Sequence, residues 1–399
     1  MPTYYFDSNQ QGAPILNATV GSLLAVLDAC LVTGFPAVDV VSITVEDNVA
    51  TVQTDGTHGF ATDDFAQISG AAEVEFNGVF QVRRVDAQTF TFPVYAASVT
   101  QASGSIKAKR PALGWDKVFT GVNKAVYRAK EGLRPFLWVN DSAATPAGTR
   151  EAQWRGYRTM SDVDNGEEPF PTPAQLPNGM MVYKTASANA LPQPWILIGD
   201  ERAFYVMCQI DSGNNNTKVP TGASWPMWHA FGELARPFIE DDPYCCFIAG
   251  MANANAIGDS YQNNGVFYPS NRNSGGGSGS SAWLLRGISG VADLPVQYSN
   301  MGHCWDETAI GEAACFTYPH KTDNGMMITP IRAASENALR GYMPGFYESM
   351  HGNITGSVPF GTVIDGEFIG LEGRKFKVVT GRRYTAVGCA LFDITGPWR

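Results

Sequence analysis

The sequence predicts a mainly β protein: a large antiparallel, sandwich-like β-rich domain with a short N-terminal helix and a small inserted β-sandwich or barrel module. Three observations predict it. Forty-two glycines and 24 prolines punctuate 399 residues, so the elements between them are short. Aromatic residues make up 12% of the chain and charged residues only 17%, a balance that suits strands packed on both faces. The apolar period is 3.6 in one N-terminal segment and changes to two from Val38.

That segment comes first. Leu23, Val26, Leu27, Cys30 and Leu31 follow the i, i+3, i+4, i+7, i+8 spacing of a helix within residues 15–35. Thr19 and Ser22 are available as N-terminal caps, and Gly34 followed by Pro36 ends the helix. From Val38 the period changes. Val41, Ile43 and Val45 alternate with Ser42 and Thr44, Asp47-Asn48 supplies a tight turn, and Val49, Thr51 and Gln53 begin the return strand. Further strands are expected around Phe76–Phe80, Thr89–Phe92 and Ser105–Lys109. Five or six strands in this span make a small module, assigned to residues 38–110 and inserted into a discontinuous main domain of residues 1–37 and 111–399.

The main domain then resumes with strand, turn, strand across Phe119–Asp141 and a strand at Trp154–Met160. Residues 162–171 read as a loop. Strands follow at Pro194–Asp200 and Ala203–Cys208, then at Phe231–Leu234 and Tyr244–Gly250. The Gly/Ser tract 274–281 reads as a flexible surface loop. Residues 374–380 and 384–394 form a last hairpin.

Charge narrows the partners. The net charge is −10, and the densest basic run, Lys107 to Arg110, ends at Pro111 as a linker edge. No nucleic-acid partner is expected of such a chain. No stretch of 18 apolar residues suggests a membrane span, and Met1–Asp7 lacks the pattern of a signal peptide. The seven cysteines are irregularly spaced without a CxxC pair, as expected of small buried residues in a reducing cytoplasm. A Cys304–Cys315 disulfide is a pairing that the spacing allows without establishing.

No catalytic constellation emerges. The five histidines lack metal-ligand spacing. His303-Cys304 with Asp306-Glu307 is the densest group of potential ligands, and a packed or loop role explains it more simply. GxSxG and GxxxxGK[ST] are absent. The expectation is therefore no enzyme, no cofactor and no metal. A weak calcium candidate stands at Asp162 and Asp164, where Gly166 interrupts the loop pattern and a solvated turn is the simpler reading. Trp225 and Trp228 flank Pro226 and Met227. Exposed, they would form a platform for a glycan or a partner; buried, they are core.

Taken in order, the motifs form a set: Gly12-Ala13-Pro14-Ile15-Leu16-Asn17, the helix Gly21–Phe35, the inserted His58-Gly59-Phe60 module, Gly114-Trp115-Asp116-Lys117, Asn123–Arg128, Arg155–Asp164, Pro169-Phe170-Pro171-Thr172, Met343–Tyr347 and Trp398-Arg399. Across most of its length the chain resembles a family of uncharacterised virion structural proteins of tailed bacteriophages and prophages. The resemblance implies a particle component at the tail, neck or baseplate, assembled in the bacterial cytoplasm as a symmetric homo-oligomer with other virion proteins. It carries no catalytic residue over. The alternatives are a carbohydrate-binding receptor or adhesin component contacting host-surface glycan, a glycan hydrolase, and a decoration protein of the head.

Overall fold

The computed structural model describes residues 2–95, 99–145, 148–209, 226–235, 237, 242, 244–251, 280–285, 318–335, 338–349, 351, 357–367, 370–383 and 386–399. The protein is mainly β and its strand pairings are antiparallel. The chain divides into two compact units. One comprises residues 1–8, 15–25 and 115–399; the other comprises 9–14 and 26–114.

The smaller unit is a barrel-like sheet of seven strands. Their order is Gly78–Gln81, Phe65–Ala71, Gly104–Arg110, Phe35–Glu46, Val49–Thr54, Thr89–Pro93 and Arg83–Arg84. The two end strands are consecutive in sequence and separated only by Val82, so one kinked ribbon bounds both edges of the sheet. Val82 is buried, and its N–H and carbonyl bond to Asp64 and Asp63. The hairpin turn at Asp47-Asn48 has both residues at positive φ (48° and 62°), the geometry of a two-residue turn that matches strand twist. Ile43, Val52, Phe60, Ile68, Phe76, Phe90, Phe92 and Ala108 fill the interior.

The helix occupies Ser22–Leu27 and continues as a π-helix over Asp28–Thr33. Gly34 ends it at φ 72°, its N–H bonded to the Ala29 carbonyl. A Cβ at Gly34 would overlap the Arg110 carbonyl oxygen, so glycine is required by both the turn and the strand beside it. The cap differs from expectation. Ser22 Oγ donates to the Asn17 carbonyl, and the N–H of Leu23 is taken by the Asp141 carboxylate at 2.9 Å. A carboxylate from a distant strand replaces a local hydroxyl.

The larger unit holds a twelve-stranded sheet. Its main path runs Tyr4–Asp7, Trp195–Gly199, Ala203–Gln209, Pro226–Glu233, Cys246–Met251, Met180–Tyr183, Glu151–Met160, Phe136–Asn140, Lys124–Arg128 and Asp116–Gly121. Gly166–Phe170 adds to Glu151–Met160, and Ser280–Leu284 adds to Cys246–Met251. A five-stranded sheet follows the order Ile328–Ser335, Ala338–Ser349, Ala386–Asp393, Lys375–Arg383, Val363–Asp365. The two sheets share a core of Ile196, Tyr205, Trp228, Phe346, Val379, Phe392 and Trp398, among others.

Two expectations need correction. Residues 166–170 are a strand rather than part of a loop. Asp162 accepts the N–H groups of Asp164 and Asn165, which turns the chain back along its predecessor. Phe170 then lies over Gly156, where any Cβ would overlap its ring. In the Gly/Ser tract, Ser280 and Ser281 open a strand, while 274–279 lie outside the described residues. The strands at Tyr4–Asp7 and Met180–Tyr183 carry too few residues for a period to show.

Candidate functional site

The loop between Val49–Thr54 and Phe65–Ala71 carries the His58-Gly59-Phe60 motif, and its ring groups turn inward. His58 is buried. Its Nδ1 accepts the Phe60 N–H at 3.0 Å, so Nε2 carries the proton and faces the carbonyls of Asp86 and Thr89 at 3.1 and 3.3 Å. The ring stacks on Phe60 and meets Phe90 edge-on. Burial holds its pKa below the ordinary histidine value despite those carbonyls. Arg110 completes the arrangement. It binds the Asp64 carboxylate at 2.7 Å and the Gly59 carbonyl at 2.6 Å, with its guanidinium over Phe60. His58 and Asp64, with Arg110, thus close the barrel wall through bonds to one another's backbone and side chains.

Trp228 has no exposed surface. It packs on Phe392 with ring centroids 5.1 Å apart, within the core between the two sheets. A ring in that position offers no face to a sugar, which corrects the platform reading for this residue. Trp225 lies outside the described residues.

Asp162 and Asp164 do not form a cage. The Asp162 carboxylate accepts the backbone N–H groups of Asp164 and Asn165 and the Asn165 side chain, and these bonds hold it below the usual carboxylate range. Asp164 pairs with Lys124 at 2.6 Å. Among the described residues no group of three or more His, Cys, Asp or Glu side chains is placed to hold a metal ion. His303, Cys304, Asp306, Glu307 and Cys315 lie outside the described residues.

The described thiols of Cys30, Cys208, Cys245 and Cys246 are buried and free. Burial pushes Cys208 up to about 12, and the same value applies to Cys245, which is buried and also bonds Asp242. Thiols so far from their thiolate form are packing groups rather than nucleophiles. No described helix is long and apolar enough to cross a membrane, which says nothing about strand-built membrane proteins.

A cleft in the larger unit has a volume of about 410 Å³. Val358, Phe376, Leu391, Tyr318 and Met326 line it together with Asp365 and Glu367. Its lining combines apolar side chains with two carboxylates. Sequence reasoning missed it because the lining comes from loops and strands far apart in the chain, each unremarkable alone.

No family model matches the chain, and no curated protein matches it.

Proposed function

We propose that this protein is a structural component of a tailed bacteriophage particle, assembling as a symmetric oligomer through protein–protein contacts in the tail, neck or baseplate. The single observation that carries the reading, beside the sequence resemblance, is the construction of the small unit. Its barrel begins at Phe35 opposite Arg110, the last residue of its final strand, so the two ends of the barrel lie side by side. A module built this way can be added to a host domain at little cost, as structural proteins that vary by insertion require. The polar residues of its most distinctive loop are spent on wall closure, which suits a rigid spacer or contact module. The burial of Trp228 removes one half of the glycan platform, and the adhesin reading loses that support.

The test is location. Particles purified from lysates of a host carrying this sequence should contain the chain in stoichiometric amount by mass spectrometry, and a reconstruction should place it in a ring or other symmetric array. Absence from purified particles would overturn the reading.

A further inference from the structure

The larger unit carries a rack of three arginines around the loop 129–134. Arg128 Nε donates to the Arg134 carbonyl at 3.0 Å, Arg134 Nε to the Ala129 carbonyl at 3.2 Å, and Arg158 Nη1 to the Leu133 carbonyl at 3.3 Å. The loop itself is pinned from beneath. The buried Glu233 carboxylate accepts the N–H groups of Leu133 and Arg134, and a Cβ at Gly132 would overlap it. Arg128 also lies over the Phe136 ring, 4.2 Å from its centroid.

Each guanidinium is half-buried, held by a carbonyl at one nitrogen, and left with most of its N–H donors unspent. Among the described residues none of the three makes an ion pair. Their mutual repulsion is real. Burial, then Arg134 and Arg158, hold the Arg128 pKa below its ordinary value, and Asp116 offsets this only in part. Asp116 is itself shared with Lys130 at 3.4 Å. Like charges gathered on a pre-set loop are most stable with an oxyanion bridging them.

The neighbouring strand offers the complement. Glu167 and Glu168 are exposed on Gly166–Phe170, with Glu167 opposite Thr159, next to Arg158. Neither has a partner among the described residues. Arg158 and the acidic pair therefore lie on adjacent strands, Gly166–Phe170 pairing with Glu151–Met160, in a chain whose net charge is −10. That is the arrangement a two-fold contact needs: the rack of one copy receives the acidic pair of the other, and the reverse.

We propose that Arg128, Arg134 and Arg158 form a carboxylate-binding site for Glu167 and Glu168 of a second copy of this chain. The proposal names the contact of the oligomer proposed above and rests on that reading for its role in a particle, although the contact is tested on the isolated protein.

The experiment is sedimentation velocity of the full chain at about 50 mM and about 500 mM salt, where screening differs strongly. The wild type should self-associate at low salt and at least about tenfold more weakly at high salt. An Arg134→Glu/Arg158→Glu variant and a Glu167→Lys/Glu168→Lys variant should each be monomeric alone. Mixed, they should restore association, because the swapped charges face each other and the unswapped pair is retained. Circular dichroism confirms folding of each. If the arginine reversal does not fold, Arg158→Gln replaces it and should weaken association about tenfold or more. A wild type that is monomeric at both salts, or variants that associate as it does, overturns the proposal. Acidic residues that merely guard a strand edge against pairing would leave the wild type monomeric. Failure here with the chain present in particles removes the contact and leaves the virion reading standing; absence from particles with intact association does the opposite.

Discussion

Acidification should weaken the larger unit through His229. This residue lies on the strand Pro226–Glu233, opposite Val206, with no exposed surface. Its ring meets Trp154 edge-on at 5.7 Å, and neither ring nitrogen makes a hydrogen bond of good geometry. Burial pushes its pKa down to about 3 from 6.5, and the nearby carbonyls of Val206 and Met227 offset only part of that. The folded state therefore binds its proton less readily than the unfolded state. Above about pH 6.5 the ring is neutral in both states and adds no pH dependence. As pH falls from there toward about 3, the unfolded chain takes up a proton that the folded chain refuses, and stability is lost. Each pH unit is worth up to about 1.4 kcal/mol, so the loss between about pH 7 and about pH 4 is roughly 3 kcal/mol.

Replacing the ring by an aliphatic side chain, His229→Leu, removes this titration and leaves every other group in place. The assay is urea unfolding followed by tryptophan fluorescence at several pH values across that interval. The variant will differ from the wild type near neutrality by a repacking term of either sign. The diagnostic quantity is the change in stability with pH. The wild type should lose roughly 3 kcal/mol more than the variant over the interval. Equal pH dependence in the two proteins would refute the account of a histidine buried in neutral form.

Three further expectations concern stability. Gly345 has φ 60°, and a Cβ there would overlap the Trp398 indole, whose N–H is bonded to the Asp393 carbonyl; Gly345→Ala should cost about 1–3 kcal/mol and lower the melting temperature in a thermal scan. Lys184 and Asp141 pair at 2.6 Å with no exposed surface, so Lys184→Met should cost about 3–5 kcal/mol, and adding Asp141→Leu should recover part of it in denaturant titrations, less the Leu23 N–H bond that Asp141 also accepts. A single variant no worse than the double would contradict the buried-charge explanation. Arg110→Met should open the 57–64 wall of the barrel, read as faster amide hydrogen exchange at Phe60 and Ala61, whose N–H groups rest on His58 and Asp64.

Much of the β architecture was legible because it is written in short-range chemistry. Alternation marked the strands of the small module, and Asp47-Asn48 marked the turn because few residues tolerate positive φ twice in succession. Gly34 announced the end of the helix for the same reason. The His58–Asp64 stretch was legible as distinctive but not as to purpose. Its closing partner, Arg110, stands 46 residues beyond Asp64, and only the fold brings the two together.

What the chain settles locally is the period of burial, the places where the backbone must turn, and a composition poor in charge and rich in strand formers. These are properties of neighbouring residues, and they determine that the protein is β-rich and punctuated by tight turns. What the tertiary structure decided depends on residues far apart in sequence. Asp141 caps a helix 118 residues away and takes Lys184 as its counter-ion, while Trp228 passes from platform to core because a second sheet covers it. Residues 166–170 pair as a strand where Gly156 leaves room for Phe170. Burial, close packing and charge pairing act through space, so a residue's partners, and with them its role, follow from the folded arrangement rather than from its neighbours in the chain.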